Sequence, residues 1–308
     1  MSTDPGSWGV ELRDVTLRDG LQLVGRAPST GRKVEVVREL LALGVPSLEI
    51  GSMARPDLVP TLADTLDVVD ALTPGELERC WVWVATPGHV RRAAERGVVN
   101  FQYCLSVSDA HNRANLGRST EASLDTVPDG VAAAGGGRVQ LTLATSFTCP
   151  FDGPVDPDEV VRIAADPRTA GTVDVVVCDT LGQAAPAEVA SLVARVRAET
   201  PPRRTGFHGH DTWGQGVANA LAAVQAGAEF VDGTLGGLGG CPFAPGASGN
   251  TATEDLLFGL RPSWLTPSSF ADVVRLAERV VADLGERSSS KAAQGARSRA
   301  EAFGWVVR

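Results

Sequence analysis

The feature that most limits what this chain can fold into is a rhythm. Eight short runs rich in aliphatic and β-branched residues recur along the sequence, separated by stretches with helical spacing. The runs are residues 10–17 (VELRDVTL), 47–51 (SLEIG), 80–85 (CWVWVA), 99–105 (VNFQYCL), 139–144 (VQLTLA), 173–178 (VDVVVC), 205–210 (TGFHGH) and 230–235 (FVDGTL). Several are unbroken apolar segments, the pattern of parallel strands covered on both faces. Between them, residues 33–44, 186–199 and 216–227 place apolar side chains at helical spacing, and the first of these ends in Gly44, a common helix stop. Eight strand–helix units predict an α/β fold of the (β/α)8 TIM-barrel kind. A doubly wound open sheet is the alternative, but no GxGxxG follows the first strand. Two more helices, 267–284 and 288–303, come after the eighth unit. No Gly/Ser/Pro linker divides residues 1–308, so the chain reads as one barrel domain with extra flanking helices over about 267–303.

Composition removes several classes of function. Apolar residues make up 43 % of the chain, enough for a full core, and the net charge of −9 argues against a nucleic-acid surface, which needs a basic face. No apolar run approaches the ~18 residues of a membrane span, and the MSTDPGSWGV start lacks the basic-then-apolar pattern of a secretory signal. Five scattered cysteines with no CxxC pair point to a reducing cytoplasm rather than a disulfide framework.

In parallel barrels the chemistry sits at the C-terminal ends of the strands. There the sequence gathers polar residues that would be costly in a core: Arg18 and Asp19 after the first run, Glu49 in the second, Asp179 and Thr180 after the sixth, and His208 and His210 in the seventh. A glycine-rich loop, residues 236–250, follows the eighth. Residues two apart on a strand face the same way, so His208 and His210 both point inward while Gly209 faces the helices. With Asp19 as a carboxylate and Asn250 as a carbonyl oxygen, this mixed N/O set suits Mg²⁺, Mn²⁺, Co²⁺ or Zn²⁺ acting as a Lewis acid. The plainer reading is two hydrogen-bonded structural histidines. Arg18 is placed to meet a developing oxyanion, or simply to pair with Asp19. Glu49 is read as holding Arg18 in position. Cys241 is either a small buried hydrophobe or a thiol on a mobile lid. Residues 108–119 (SDAHNRANLGRS) read as a loop capped by its own Asn and Ser side chains, His89 as a surface residue, and Cys80, Cys104, Cys149 and Cys178 as packing residues.

The stretches DVTLRDGLQ (14–22), SDAHNRAN (108–115), CDTLG (178–182), HGHDTWGQGVANALAAVQAG (208–227), GGLGGCPFAPGASGNTATEDL (236–256) and SSKAAQ (289–294) together resemble the 3-hydroxy-3-methylglutaryl-CoA lyase family. These are metal-dependent (β/α)8-barrel acyl-CoA lyases, within a wider group that includes isopropylmalate synthase-like enzymes. The resemblance implies a divalent metal, Mg²⁺ or Mn²⁺ before Co²⁺ or Zn²⁺, on Asp19, His208, His210 and Asn250. It implies catalytic roles for Arg18, Cys241, His208, Glu49 and Asp179, and substrate contacts from Arg18, Gln22, Ser108 and Thr180. The implied partners are a small-molecule acyl-CoA and a second copy of the chain in a homodimer. The implied reaction is a retro-Claisen cleavage giving acetyl-CoA and acetoacetate; the alternatives are a Claisen-type condensation of an acyl-CoA with a keto acid, or a non-catalytic acyl-CoA- or metal-binding barrel. Some positions depart from the family pattern. Leu23-Val24 replaces Asn-Glu, Ala54-Arg55-Pro56-Asp57 replaces a lysine-bearing segment, and Phe151 stands where some members carry Tyr. These departures leave the bond-breaking residues intact and alter the acyl-chain contacts, so a related branched 3-hydroxyacyl-CoA is also compatible.

Overall fold

The computed structural model describes residues 8–240, 249–298 and 304–306. Eight parallel strands close into a barrel: β1 (Glu11–Asp14), β2 (Ser47–Ser52), β3 (Cys80–Val84), β4 (Asn100–Ser106), β5 (Arg138–Ala144), β6 (Asp174–Asp179), β7 (Arg204–Gly209) and β8 (Phe230–Gly233). Each pairs with its neighbours in sequence, and β8 closes on β1 through Glu11↔Phe230 and Asp14↔Gly233. This is a (β/α)8 TIM barrel. A short antiparallel hairpin, Thr148–Cys149 with Gly153–Pro154, stands after β5.

The strand pleat explains why the sequence runs read as continuous apolar segments. One set of side chains, including Leu12, Leu48, Val82, Phe101, Leu141, Val175, Phe207 and Val231, is buried against the surrounding helices. Each such burial stabilises by roughly 1.5–3 kcal/mol. The alternate set faces the barrel interior and is strongly polar. Arg13 on β1 reaches Gln140 on β5 at 2.7 Å, a contact that only the interior allows.

Two flanking helices match their sequence windows, Pro186–Glu199 and Pro267–Leu284. The 33–44 window becomes Thr30–Ala42, begun three residues earlier because the Ser29 side chain caps Arg32 N–H. The 288–303 window yields a described helix only over Lys291–Ala296, and residues 299–303 lie outside the described set. The 108–119 segment is not a loop. Ser108 caps its start and Gly117, at φ +71°, ends it, so Asp109–Leu116 is a helix. His89 is half-buried rather than on the surface. Cys80, Cys104, Cys149 and Cys178 are all buried and unbridged, as expected. No helix among the described residues is long and apolar enough to cross a membrane.

Candidate active site at the barrel mouth

The first strand was expected to run to residue 17 but ends at Asp14. The Val15 carbonyl accepts the amides of Arg18, Asp19 and Gly20 at 3.1, 2.9 and 3.2 Å, which winds Thr16–Gly20 into one π-helical turn. Such turns are enriched at functional sites. Here the turn matters because adjacent residues of a strand point to opposite faces, whereas Arg18 and Asp19 both line the mouth.

His208 and His210 face inward as the spacing predicts, with ring centroids 5.1 Å apart. Gly209 between them lies on the outer side, where a Cβ would come within 2.6 Å of the Phe207 ring. Asn250 reaches the site because an antiparallel bridge pairs it with His210. Its amide Nδ2 donates to Asp19 Oδ2 at 2.7 Å and to the Leu238 carbonyl at 3.1 Å. The glycine-rich loop allows this approach: Gly239 sits at φ +108°, and a Cβ there would lie 2.6 Å from Asn250 Nδ2. Asp19, His208 and His210 each offer a ligand atom, and these three atoms lie within 4.8 Å of one another.

Arg18 donates to Asp19 and lies 3.5 Å from Glu49 Oε1, with its guanidinium carbon 5.4 Å from the Trp83 ring centre. Burial alone would raise the Asp19 carboxyl, but the Arg18 charge and the His210 contact hold it well below the usual carboxylate range. Burial pushes Glu49 up to about 7 even with Arg18 beside it. With its amide nitrogen turned toward Glu49, Gln102 donates to Oε2 at 2.7 Å and its oxygen accepts from Thr142 at 3.2 Å.

The cavity is lined by Arg18, Asp19, His208 and His210, and also by Gln22 and Thr180, two of the anticipated substrate contacts. Glu49 and Asn250 do not line it but touch Arg18 and Asp19, which do, and two further anticipated residues turn away from it. Asp179 turns its carboxylate to the backbone N–H groups of Gln183 and Ala184, at 3.1 and 3.0 Å, and so shapes the loop after β6. Ser108 caps its helix, donates to Asp152 at 2.9 Å and lies 3.0 Å from the Cys149 sulfur. Cys241 lies outside the described residues.

Sequence reasoning missed Asp232. On β8 it meets His208 Nδ1 at 2.7 Å, which occupies that nitrogen and leaves Nε2 as the one a cation would take once the ring is neutral. Burial would lower the His208 imidazole, but Asp232 outweighs it and pushes it up to about 9. The signal was a lone carboxylate in the apolar run FVDGTL, three residues before that run's expected end.

A closed parallel barrel with this cluster at its C-terminal mouth has the architecture of a TIM-barrel enzyme. Comparison with known proteins gives the class. A family model described as HMGL-like matches residues 9–280. The chain is 37 % identical over 270 residues to an (R)-citramalyl-CoA lyase of Chloroflexus aurantiacus, covering 80 % of this chain and 82 % of that protein. It is 33 % identical to a hydroxymethylglutaryl-CoA lyase of Bacillus subtilis, covering 82 % and 85 %. The solved structure of an HMG-CoA lyase from Acinetobacter baumannii, in complex with coenzyme A and 3-methylmalate, matches with a TM-score of 0.88 at 30 % identity, covering 98 % of this chain and 99 % of that one. The chain belongs to the HMGL-like family. It is an enzyme of the carbon–carbon lyase class, of the hydroxymethylglutaryl-CoA lyase-like kind.

Proposed function

We propose that the chain cleaves 3-hydroxy-3-methylglutaryl-CoA, or a closely related branched 3-hydroxyacyl-CoA, by a retro-Claisen reaction to acetyl-CoA and a keto acid such as acetoacetate. The observation that carries this reading is the convergence of Asp19, His208 and His210 beside Arg18 at the barrel mouth.

The residues fit a divalent cation. The donor set is one carboxylate and two imidazoles, and Asn250 adds an Oδ1 that is buried with no hydrogen-bond donor of its own. A buried acceptor left unpaired is costly, and a cation would satisfy it. Asp19, His208, His210 and Asn250 are therefore the proposed ligands. A divalent cation bound there supplies a Lewis acid that eases loss of the substrate's 3-hydroxyl proton. The remaining chemistry belongs to side chains. Arg18 meets the negative charge that develops on the thioester oxygen as the C2–C3 bond breaks. Glu49, itself held by Gln102, keeps the guanidinium aimed. Asp232 occupies His208 Nδ1 and leaves Nε2 to the cluster. Gln22 and Thr180 contact the acyl group. Cys241 is the proposed acid for the enolate carbon, on the strength of the family resemblance.

The test is incubation of the metal-reconstituted protein with 3-hydroxy-3-methylglutaryl-CoA, following acetyl-CoA and acetoacetate. Activity is expected to vanish with chelator and with His208→Ala. Release of free CoA from acetyl-CoA and a keto acid, without cleavage, would overturn the lyase reading in favour of condensation. A second reading has a specific observation behind it, the 37 % identity to a protein named for (R)-citramalyl-CoA. Cleavage of that thioester by this chain would release pyruvate instead of acetoacetate, so assaying both keto acids separates the two.

A further inference from the structure

The cavity has two chemically different sides. Its charged side comes from β1, β7 and their loops: Arg18, Asp19, His208 and His210. The facing side comes from β3 to β5 and the segment after β2, and carries Trp83, Cys104, Ala144 and Ala54 with the polar Gln102 and Thr142. None of these six is charged. Burial pushes the Cys104 thiol up to about 11, so it too is neutral. A substrate held by its oxygens at the charged side turns its hydrocarbon toward this wall.

Trp83 dominates the wall. It is 6 % exposed, packs with Ala85 and Cys104, and is flanked by Ala54, Leu116 and Ala144. One large ring is thus set among small side chains. Its indole N–H is buried with only the Cys104 sulfur, a poor acceptor, beside it. Packing alone would be served better by a residue without that unsatisfied donor. The cavity as a whole, its charged side included, holds about 130 Å³, against roughly 300–1,000 Å³ for most small-molecule pockets.

We propose that Trp83 is a specificity-determining residue that gauges the C3 substituent of the acyl-CoA, admitting a methyl group and rejecting longer alkyl branches. The inference rests on the function proposed above. It assigns the substituent, rather than the carboxylate, to the wall formed by β3 and β4.

The experiment compares wild type, Trp83→Phe and Trp83→Val on 3-hydroxy-3-methyl-, 3-ethyl- and 3-butylglutaryl-CoA. Discrimination over one methylene in an apolar pocket is about 10- to 200-fold. The butyl-to-methyl ratio of kcat/KM is therefore expected to rise by at least about tenfold in Trp83→Val, with Trp83→Phe between. Because Arg18 rests over the Trp83 ring, a merely supporting role would lower kcat/KM for all three thioesters by one factor. That result, or an unchanged ratio, would overturn the proposal. Should Trp83→Val fail to fold, Trp83→Phe carries the comparison. If wild type cleaves none of the series, the 3-hydroxyglutaryl-CoA reading of the substrate falls. Calorimetric affinities for the methyl and butyl thioesters then decide the role of Trp83, and an unchanged affinity ratio rejects it.

Discussion

The two ends of the barrel interior use the same kinds of residue for different ends. At the floor, Arg13 lies between the rings of Trp81 and Phe230, at 4.2 and 4.7 Å, and binds Gln140 and Ser47. Arg204 bridges Glu11 and Asp174 there, at 2.9 Å to each, and Ser47 donates to Glu11 at 2.7 Å. At the mouth, Asn250 Oδ1 and His210 Nδ1 are buried without partners. The two glutamates show the contrast. Burial would raise both, but at the floor Ser47 and Arg204 outweigh it and draw Glu11 below its ordinary value, while at the mouth burial wins and Glu49 rises to about 7. The floor's carboxylates are neutralised by partners within the chain. The floor leaves a donor unmet at Arg13 Nη2, whereas the mouth leaves atoms that can ligate, Asn250 Oδ1 and His210 Nδ1, which is what a binding site offers to something else.

The largest expected effect that would break this contrast is at Arg18. Arg18→Met should lower kcat by about 10²–10³-fold, the usual loss of one oxyanion donor. In metal-loaded protein, where a cation would compensate Asp19, the variant's melting temperature should stay near wild type, and a large drop would mean that the mouth too is structural. Next, Asp232→Asn should weaken metal affinity or activity by about 10–100-fold. A calorimetric metal titration read beside kcat checks this, and unaltered metal binding with unaltered turnover would reduce the Asp232–His208 bond to packing. At the floor the expectation reverses. Arg204→Met leaves Asp174 buried beside a more distant Arg138, so urea denaturation should show a loss of about 3 kcal/mol while kcat holds within about twofold.

The smallest effect is a pH dependence in metal-free protein. Glu49 has a folded pKa of about 7 against an ordinary 4.5. A raised value means its contribution to stability is fully present below about pH 4.5 and is lost as pH rises through about 7. Glu49→Gln lacks that loss, so its stability relative to wild type should improve from pH 5 to pH 8, by on the order of 3 kcal/mol at most. A pH-independent difference between the two would remove Glu49 from the contrast.

Much of this was legible before any coordinates. Residues 139–144 and 173–178 announced strands because a parallel strand is apolar on the face that meets the helices, and here even its inward face is largely uncharged in β6. The HxH spacing announced two imidazoles on one face because a strand repeats every two residues. Residues 108–119 misled because Ser, Asn and Gly serve loops and helix caps alike.

The sequence alone determined the eight-fold alternation, the inward histidine pair and the mouth as the place for charge, since each follows from local periodicity and chain order. Only the tertiary structure decided that a π-helical turn presents Arg18 and Asp19 together, that Asp232 fixes His208, and that Asp179 and Ser108 serve the backbone instead of the cavity. Those outcomes depend on which groups from distant strands meet, and hydrogen-bond partners 24 residues apart, as in Asp232 and His208, leave no mark in any local pattern.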